Sequence, residues 1–293
     1  QNGKTQKNNR KDEEKMKHFK EFCLLTATLF LGACSLNKIA TRQTARIINK
    51  GLCAFYNETD TKLARESMPA NLKLMEVLLE NDRNNPILLT NLSQGYCAYS
   101  FMFIEDENKK RASLLYKKGI EFSRRALAAR RLISGKEIVT EKINRKNIPP
   151  VFWHVFCKAA WINLNIKEPD ALVEIPKIIP AARRIEEIYP SYYHNGIFTI
   201  LATFYARRPR LLGGDPEKAK KYFQMATSGA GSDFLLNKYM YAKIYSVLVQ
   251  DEALFDRLLK EIDKAGGPGS LPLANSAAKE KAKKLKERKN ELF

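Results

Sequence analysis

The side chains best equipped for chemistry in this 293-residue sequence are five cysteines, three histidines and the arginines at 207, 208 and 210. Cys34 has the most defined setting. It follows the small residues Gly32 and Ala33, at the end of an apolar run of ten residues, Phe22 to Leu31. A basic stretch, Lys15 to Lys20, precedes that run. A thiol is a nucleophile able to accept a lipid as a thioether, and small neighbours admit a peptidase to the bond before it. The apolar run is too short to cross a bilayer as a helix, which needs about 20 residues, but it suits the middle region of a secretory signal.

The box Leu31-Gly32-Ala33-Cys34 resembles that of bacterial lipoproteins, which implies diacylglycerol on Cys34 and cleavage before it. On that reading residues 1–33 are a signal region to be removed, and residues 1–15, which precede Met16, are an upstream extension. Residues 34–293 remain as one helical-repeat domain with C-terminal capping helices, anchored by lipid to a membrane and facing the periplasm. The removed stretch carries seven basic and four acidic side chains, so the net charge falls only from +19 to +16. The basic character therefore belongs to the folded body and favours acidic partners: nucleic acid, anionic lipid or an acidic protein face. A secreted lipoprotein rarely meets nucleic acid, so that partner is not expected.

Cys53, Cys97 and Cys157 remain after processing and allow at most one bridge. Each lies among apolar neighbours, and the expectation is buried, inert thiols. His154-x2-Cys157 has no matching second pair, so no metal site is expected, nor any cofactor. His-Glu-x2-His, a nucleophile elbow, a dinucleotide glycine fingerprint and paired catalytic carboxylates are all missing from the sequence. Enzymatic activity is not expected.

Gly213-Gly214-Asp215-Pro216 reads as a structural turn. Glycines reach positive φ, Asp215 can cap a helix and Pro216 suits its first position. Arg207, Arg208 and Arg210 come just before it and are candidates for a carboxylate contact with a ligand or partner, against the alternative of a solvated loop. The aromatics between Phe152 and Tyr205 should mostly form core, with a minority, such as Trp161, Tyr192 and Tyr193, lining an apolar channel.

Helices must position these side chains. Strand-like alternation is not evident, and breaks rich in Asn, Asp, Gly and Pro separate helical segments of about 15 to 20 residues. The fold class is read as all-α, with hairpins over 41–81, 86–131, 150–188 and 191–229. Ala219-x3-Phe223-x2-Ala226 and Ala112-x3-Tyr116-x2-Gly119 each place small, large and small side chains on one helix face. That frame matches the second helix of a tetratricopeptide repeat, so stacked, degenerate tetratricopeptide-like hairpins forming an α-solenoid are expected. Lys279 to Lys289 holds seven basic residues over a thin apolar stripe and reads as a solvated capping helix, with attachment to anionic lipid as the second choice.

The stretch from Arg208 through Leu211-Leu212-Gly213-Gly214-Asp215-Pro216 to Ala219-x3-Phe223-x2-Ala226 resembles the hallmark of the TRAP transporter T-component family. Arg111-Ala112-x2-Leu115-Tyr116-x2-Gly119, Phe152-Trp153, Ala160-Trp161-Ile162-Asn163-Leu164, Tyr192-Tyr193, Asp251-x3-Phe255 and Leu273-Ala274-Asn275 extend the likeness over the rest of the chain. The resemblance implies a periplasmic, lipid-anchored accessory subunit of a tripartite ATP-independent (TRAP) transporter. It further implies a homotrimer, a channel or groove through each protomer, and the transporter's solute-binding protein as partner, assisting passage of a small hydrophobic or anionic solute. The rival reading is a helical-repeat scaffold that organises envelope proteins without a ligand path. An apolar pocket would favour the first, a solid core the second.

Overall fold

Asp60, Asn85, Asn108, Asp215 and Asp251 each stand just before a helix and accept hydrogen bonds from backbone N–H groups of its first turn. These caps satisfy donors that a helix start leaves unpaired, each contributing about 1 kcal/mol. They fall in the breaks between hydrophobic segments. The computed structural model describes Met16 and residues 36–293 except 136, 267, 268 and 270. The signal segment and Cys34 lie outside the described residues.

Helices α1 (36–56) and α2 (Thr61–Asn81) open the fold. They are followed by α3 (Pro86–Tyr99), α4 (Lys109–Ala129), α5 (Ile148–Leu164), α6 (Pro169–Ile188), α7 (Gly196–Arg207) and α8 (Pro216–Ala226). The C-terminal part adds α9 (Leu235–Met240), α10 (Glu252–Lys264), α11 (Pro272–Glu287) and the short α12 (Lys289–Leu292). Wider π-helical turns continue α3 over Ser100–Ile104 and α9 over Tyr241–Ser246. Among the described residues, sheet is confined to a two-residue antiparallel pair that matches Ile133 with Ile138.

The chain is all-α, built from stacked hairpins. α3 packs on α4, α5 on α6 and α7 on α8, while α4 also packs on α5. The small–large–small faces make these contacts: Ala219, Phe223 and Ala226 are fully buried, as are Ala112 and Tyr116. α11 then returns across the stack to touch α2, α9, α10 and the Ser100–Ile104 turn.

Two expectations need correction. Cys97 of α3 and Cys157 of α5 form a disulfide with their Cα atoms 5.5 Å apart, and Cys53 is exposed. Apolar neighbours in sequence mark burial, which holds for the bridged pair, but they do not report which buried sulfurs meet when helices pack. The second correction concerns Lys281 of α11, which is buried together with Leu273, Ala277, Ala278, Ala282 and Leu285, while Lys283, Lys284, Lys286 and Arg288 are exposed. The return of α11 over the hairpins gives the thin apolar stripe a surface to cover.

Candidate functional site

A cavity of about 290 Å³ lies between α1, α2 and α3. Helical spacing puts the lining on one face of each helix: Ile48, Leu52 and Phe55 on α1, and Met68, Leu72 and Met75 on α2. From α3 come Asn91, Gln94, Gly95 and Ala98. Gly95 lets α3 approach α2, since a Cβ there would stand 2.5 Å from Leu72 Cδ2. Met102, Tyr193, Leu273 and Ala274 close the far end. By comparison, an apolar cavity of about 150 Å³ suffices to hold benzene.

Among the lining residues none is charged. Five carry side-chain amide or phenol groups: Tyr56, Asn71, Asn91, Gln94 and Tyr193. Gln94 Nε2 donates to the Tyr56 hydroxyl, and Asn71 Nδ2 donates to Ser67 O at 3.0 Å. Burial holds the Tyr56 hydroxyl well above its ordinary pKa, with the Tyr193 and Tyr192 hydroxyls adding to the effect, so it stays neutral. Asn91, 4% exposed, has no partner for its amide nitrogen.

Tyr193 separates this cavity from a smaller one of about 60 Å³, bounded by Phe152, Trp153, Phe156, Gly196 and Phe234. Ala98, Met102, Tyr193 and Ala274 line both. The Tyr193 ring lies 4.8 Å from Trp153, 5.6 Å from Phe152 and 5.7 Å from Phe234, centre to centre. Its backbone is unusual. Tyr193, His194 and Asn195 have φ of 48°, 54° and 62°, three consecutive non-glycine residues in the left-handed region. Each such residue is held against its preference, at a cost of order 1 kcal/mol. The surroundings impose it: Asn237 Nδ2 donates to His194 O and Ala226 O, both at 2.8 Å. Asn195 Nδ2 in turn donates to Met225 O at 3.0 Å and Ser228 O at 2.8 Å.

The side chains singled out in the sequence do not converge on one place. Tyr193 lines the cavity, and Tyr192 packs behind it against Phe152 at 5.1 Å, its hydroxyl pushed up to about 12 by burial. Trp161 is elsewhere, donating through Nε1 to Ser113 Oγ at 3.0 Å with the Lys117 amine 5.3 Å from its ring centre. Arg207 borders a wider polar cleft shared with Glu105, Asp106, Lys109 and Lys243. Arg208 donates to Phe204 O at 3.0 Å and stands over the Tyr205 ring. Arg210 is exposed in the turn that follows. In that turn Gly213 has φ of 83°, and a Cβ on Gly214 would lie 1.8 Å from Arg208 O. Asp215 Oδ1 accepts from Lys218 N at 3.0 Å and Pro216 opens α8.

A buried ionic cluster was hidden by its sequence setting. Lys281, 4% exposed, donates to Phe101 O at 2.7 Å and pairs with Asp106. Lys243 Nζ reaches Asp106 Oδ1 at 2.9 Å and Glu105 Oε1 at 3.2 Å, while the Tyr116 hydroxyl donates to Glu105 Oε2 at 2.7 Å. Burial works against the Asp106 carboxylate, but Lys243 and Lys281 outweigh it and hold the group below the usual carboxylate range. Burial likewise disfavours the Lys243 ammonium, and Glu105, Tyr239 and Asp106 outweigh it, raising its pKa. His154, read as outside any zinc site, is buried with Nδ1 2.9 Å from Ser123 Oγ. Among the described residues no group of three or more His, Cys, Asp or Glu is placed to hold a metal ion.

Among the described residues no helix is long and apolar enough to cross a membrane. The chain is similar to an uncharacterised protein of Treponema pallidum (strain Nichols), 24% identical over 246 residues that span 74% of this chain and 75% of that protein. The family model of the TRAP transporter T-component matches residues 57–293. That span holds α2 to α12; α1, which walls one side of the cavity, precedes it. With this match running through the hairpins, the Gly213-Gly214 turn and the returning α11, the chain belongs to the TRAP transporter T-component family, a group of accessory components of these transporters.

Proposed function

We propose that this chain is the lipid-anchored, periplasmic accessory subunit of a TRAP transporter, and that it docks the solute-binding protein and helps pass a small apolar ligand. The observation that supports the reading is the apolar cavity between α1, α2 and α3, with a second, smaller apolar cavity on the other side of Tyr193. A scaffold with no ligand path has no need of an apolar hollow, because apolar surface left uncovered forgoes about 25 cal/mol per Å² of burial. The uncharged lining favours an apolar solute over an anionic one in this cavity.

The remaining parts follow from the same reading. Cys34 carries the lipid, residues 34–293 form the processed body, and protomers associate as trimers. An acidic face of the solute-binding protein meets the basic surface, which includes Arg207 and Arg210. Co-purification with the solute-binding protein of the same transporter tests the partner. Retention should weaken as salt rises, since exposed charges are screened beyond about 10 Å at 0.1 M. No retention at low salt would leave the scaffold reading standing. Cys34→Ser should move the protein from the detergent phase to the aqueous phase without unfolding it.

A further inference from the structure

Helix α1 presents two unlike stripes to the outside. Leu36, Ala40, Ile47 and Ala54 share one face at helical spacing, and Leu36 and Ile47 are 65% and 70% exposed. Beside them runs a basic row, Lys38, Arg42, Arg46 and Lys50, one residue in every four. Residues 36–56 contain no Asp or Glu. Lys38 and Arg42 meet Asp82 at 3.7 and 3.1 Å, which ties the helix to the α2–α3 connection. Arg46 donates to Gln43 Oε1 at 3.4 Å, and neither it nor Lys50 meets a carboxylate among the described residues. The opposite face, with Ala45, Ile48 and Leu52, turns inward to the hairpins and the apolar cavity.

The exposed apolar stripe also forms the rim of that cavity. Ile47 of α1 and Leu74 of α2, the latter 54% exposed, both line it, so its mouth opens between these two helices. Val77, one turn along α2 from Leu74, is 64% exposed and extends the rim. α1 starts two residues after Cys34, a reach of about 7 Å. Standing upright from such an anchor, the helix would lift Ile47 roughly 16 Å above its own start. A basic row flanking an apolar stripe is instead the pattern of a helix lying in a membrane interface. An anionic bilayer meets both stripes at once, phosphates on one and hydrocarbon on the other, and the anchor brings it to this end of the helix.

We propose that α1 lies along an anionic phospholipid surface and that the cavity mouth at Ile47 and Leu74 opens onto the bilayer. The inference rests on the lipid-anchored, ligand-passage reading. An apolar solute then exchanges with hydrocarbon at the mouth and avoids the cost of crossing water.

Nitroxide labels on the lipidated, processed chain test this in vesicles of phosphatidylcholine with phosphatidylglycerol. Cys53, the exposed free thiol, is first replaced by Ser, and labels are placed through Ile47→Cys, Leu74→Cys or Leu211→Cys. Leu211, 99% exposed in the turn before Gly213, is the aqueous reference. Labels at 47 and 74 should collide more with oxygen, which concentrates in hydrocarbon, and less with a water-soluble nickel chelate than the label at 211 does. Arg46→Gln with Lys50→Gln removes two cations, each contributing about fivefold at an anionic surface, so the ratio of docked to undocked chains should fall about thirtyfold. Pure phosphatidylcholine should weaken the contrast likewise. Labels at 47 and 74 as open to nickel as that at 211 overturn the proposal. Labels shielded from both probes mark a protein contact, with a second copy or the solute-binding protein, and overturn the membrane assignment. A contrast unchanged by the double substitution and by pure phosphatidylcholine overturns the anionic-lipid class. A chain left in the supernatant when the vesicles are sedimented overturns the anchor reading itself, and this inference with it.

Discussion

Gly119 of α4 lies against Cys97 of α3 so closely that a Cβ on it would stand 2.1 Å from the Cys97 sulfur and 3.2 Å from that of Cys157. The missing side chain is what lets the bridge between α3 and α5 pass beside α4. Gly119→Ala is expected to lower stability by about 1–2 kcal/mol, the strain of overpacking outweighing roughly 1 kcal/mol of improved helix propensity. Thermal unfolding checks it. A melting temperature equal to or above that of the unsubstituted chain would mean that the sulfurs have room to move aside.

The bridge spans 60 residues of sequence. Closing a loop of that length in the unfolded chain contributes about 4 kcal/mol on the chain-entropy account. Urea unfolding with and without reductant should show a difference of that order. Cys97→Ser should show no further response to reductant, because Cys53 is exposed and far from being a substitute within the hairpin core. A reductant effect that persists in Cys97→Ser would place its origin elsewhere.

His154 predicts a pH dependence. Burial, aided by Lys158, lowers its pKa to about 3, against about 6.5 unfolded. Between those values the unfolded chain holds a proton that the folded chain does not, so folding loses stability as pH falls from 6.5 toward 3. The loss from this group should reach about 2 kcal/mol between pH 7.5 and pH 5. His154→Asn, able to keep a hydrogen bond to Ser123, should flatten the profile in that window. An unchanged slope would remove His154 as the cause.

Asn237 holds the left-handed segment by donating to the carbonyls of His194 and Ala226, and it also accepts from Thr199 Oγ1 at 2.7 Å. Asn237→Leu strands two buried carbonyls and a hydroxyl, and about 2–4 kcal/mol of stability should go with them. Because the Tyr193 ring then loses its fixed backbone, affinity for the neutral apolar fluorophore N-phenyl-1-naphthylamine should change as well. Asn195→Gly, which eases φ of 62° but removes two hydrogen bonds, should isolate the local geometry. Loss of stability in Asn237→Leu with unaltered fluorophore binding would separate Tyr193 from any gating role.

Helix starts were legible because capping is local: Asp60, Asn85 and Asp215 act within three residues of themselves. The Ala219–Phe223–Ala226 face was legible for the same reason, its spacing being that of one helix surface. What failed was pairing across the fold. Cys97 and Cys157 look like any buried thiols until α3 and α5 meet. Lys281 looks like its neighbours Lys279, Lys283 and Lys284 until α11 returns over the Ser100–Ile104 turn. The cavity was masked too, since Ile48, Leu52, Leu72 and Met75 carry the same periodicity whether a helix face covers core or hollow.

The Asp106–Lys281 pair gives the most asymmetric expectation. Asp106→Asn removes the negative charge that Lys281 and Lys243 share, leaving an ammonium that is 4% exposed with its remaining carboxylate, Glu105, 3.8 Å away. Breaking a buried pair from one side costs about 3–5 kcal/mol. Lys281→Met is milder, because Asp106 keeps Lys243 at 2.9 Å and the thioether fills the space of the aliphatic stem between Phe101 and Tyr239. Stability in that variant should stay within about 1–2 kcal/mol of the parent. The pH arm follows from the depressed carboxyl. Its contribution is present above the unfolded value near 3.9 and is lost as pH falls through the lower folded value, so Asp106→Asn should lose acid sensitivity below about pH 4. Equal losses in Asp106→Asn and Lys281→Met would mean that packing, not charge, holds α11 against the hairpins.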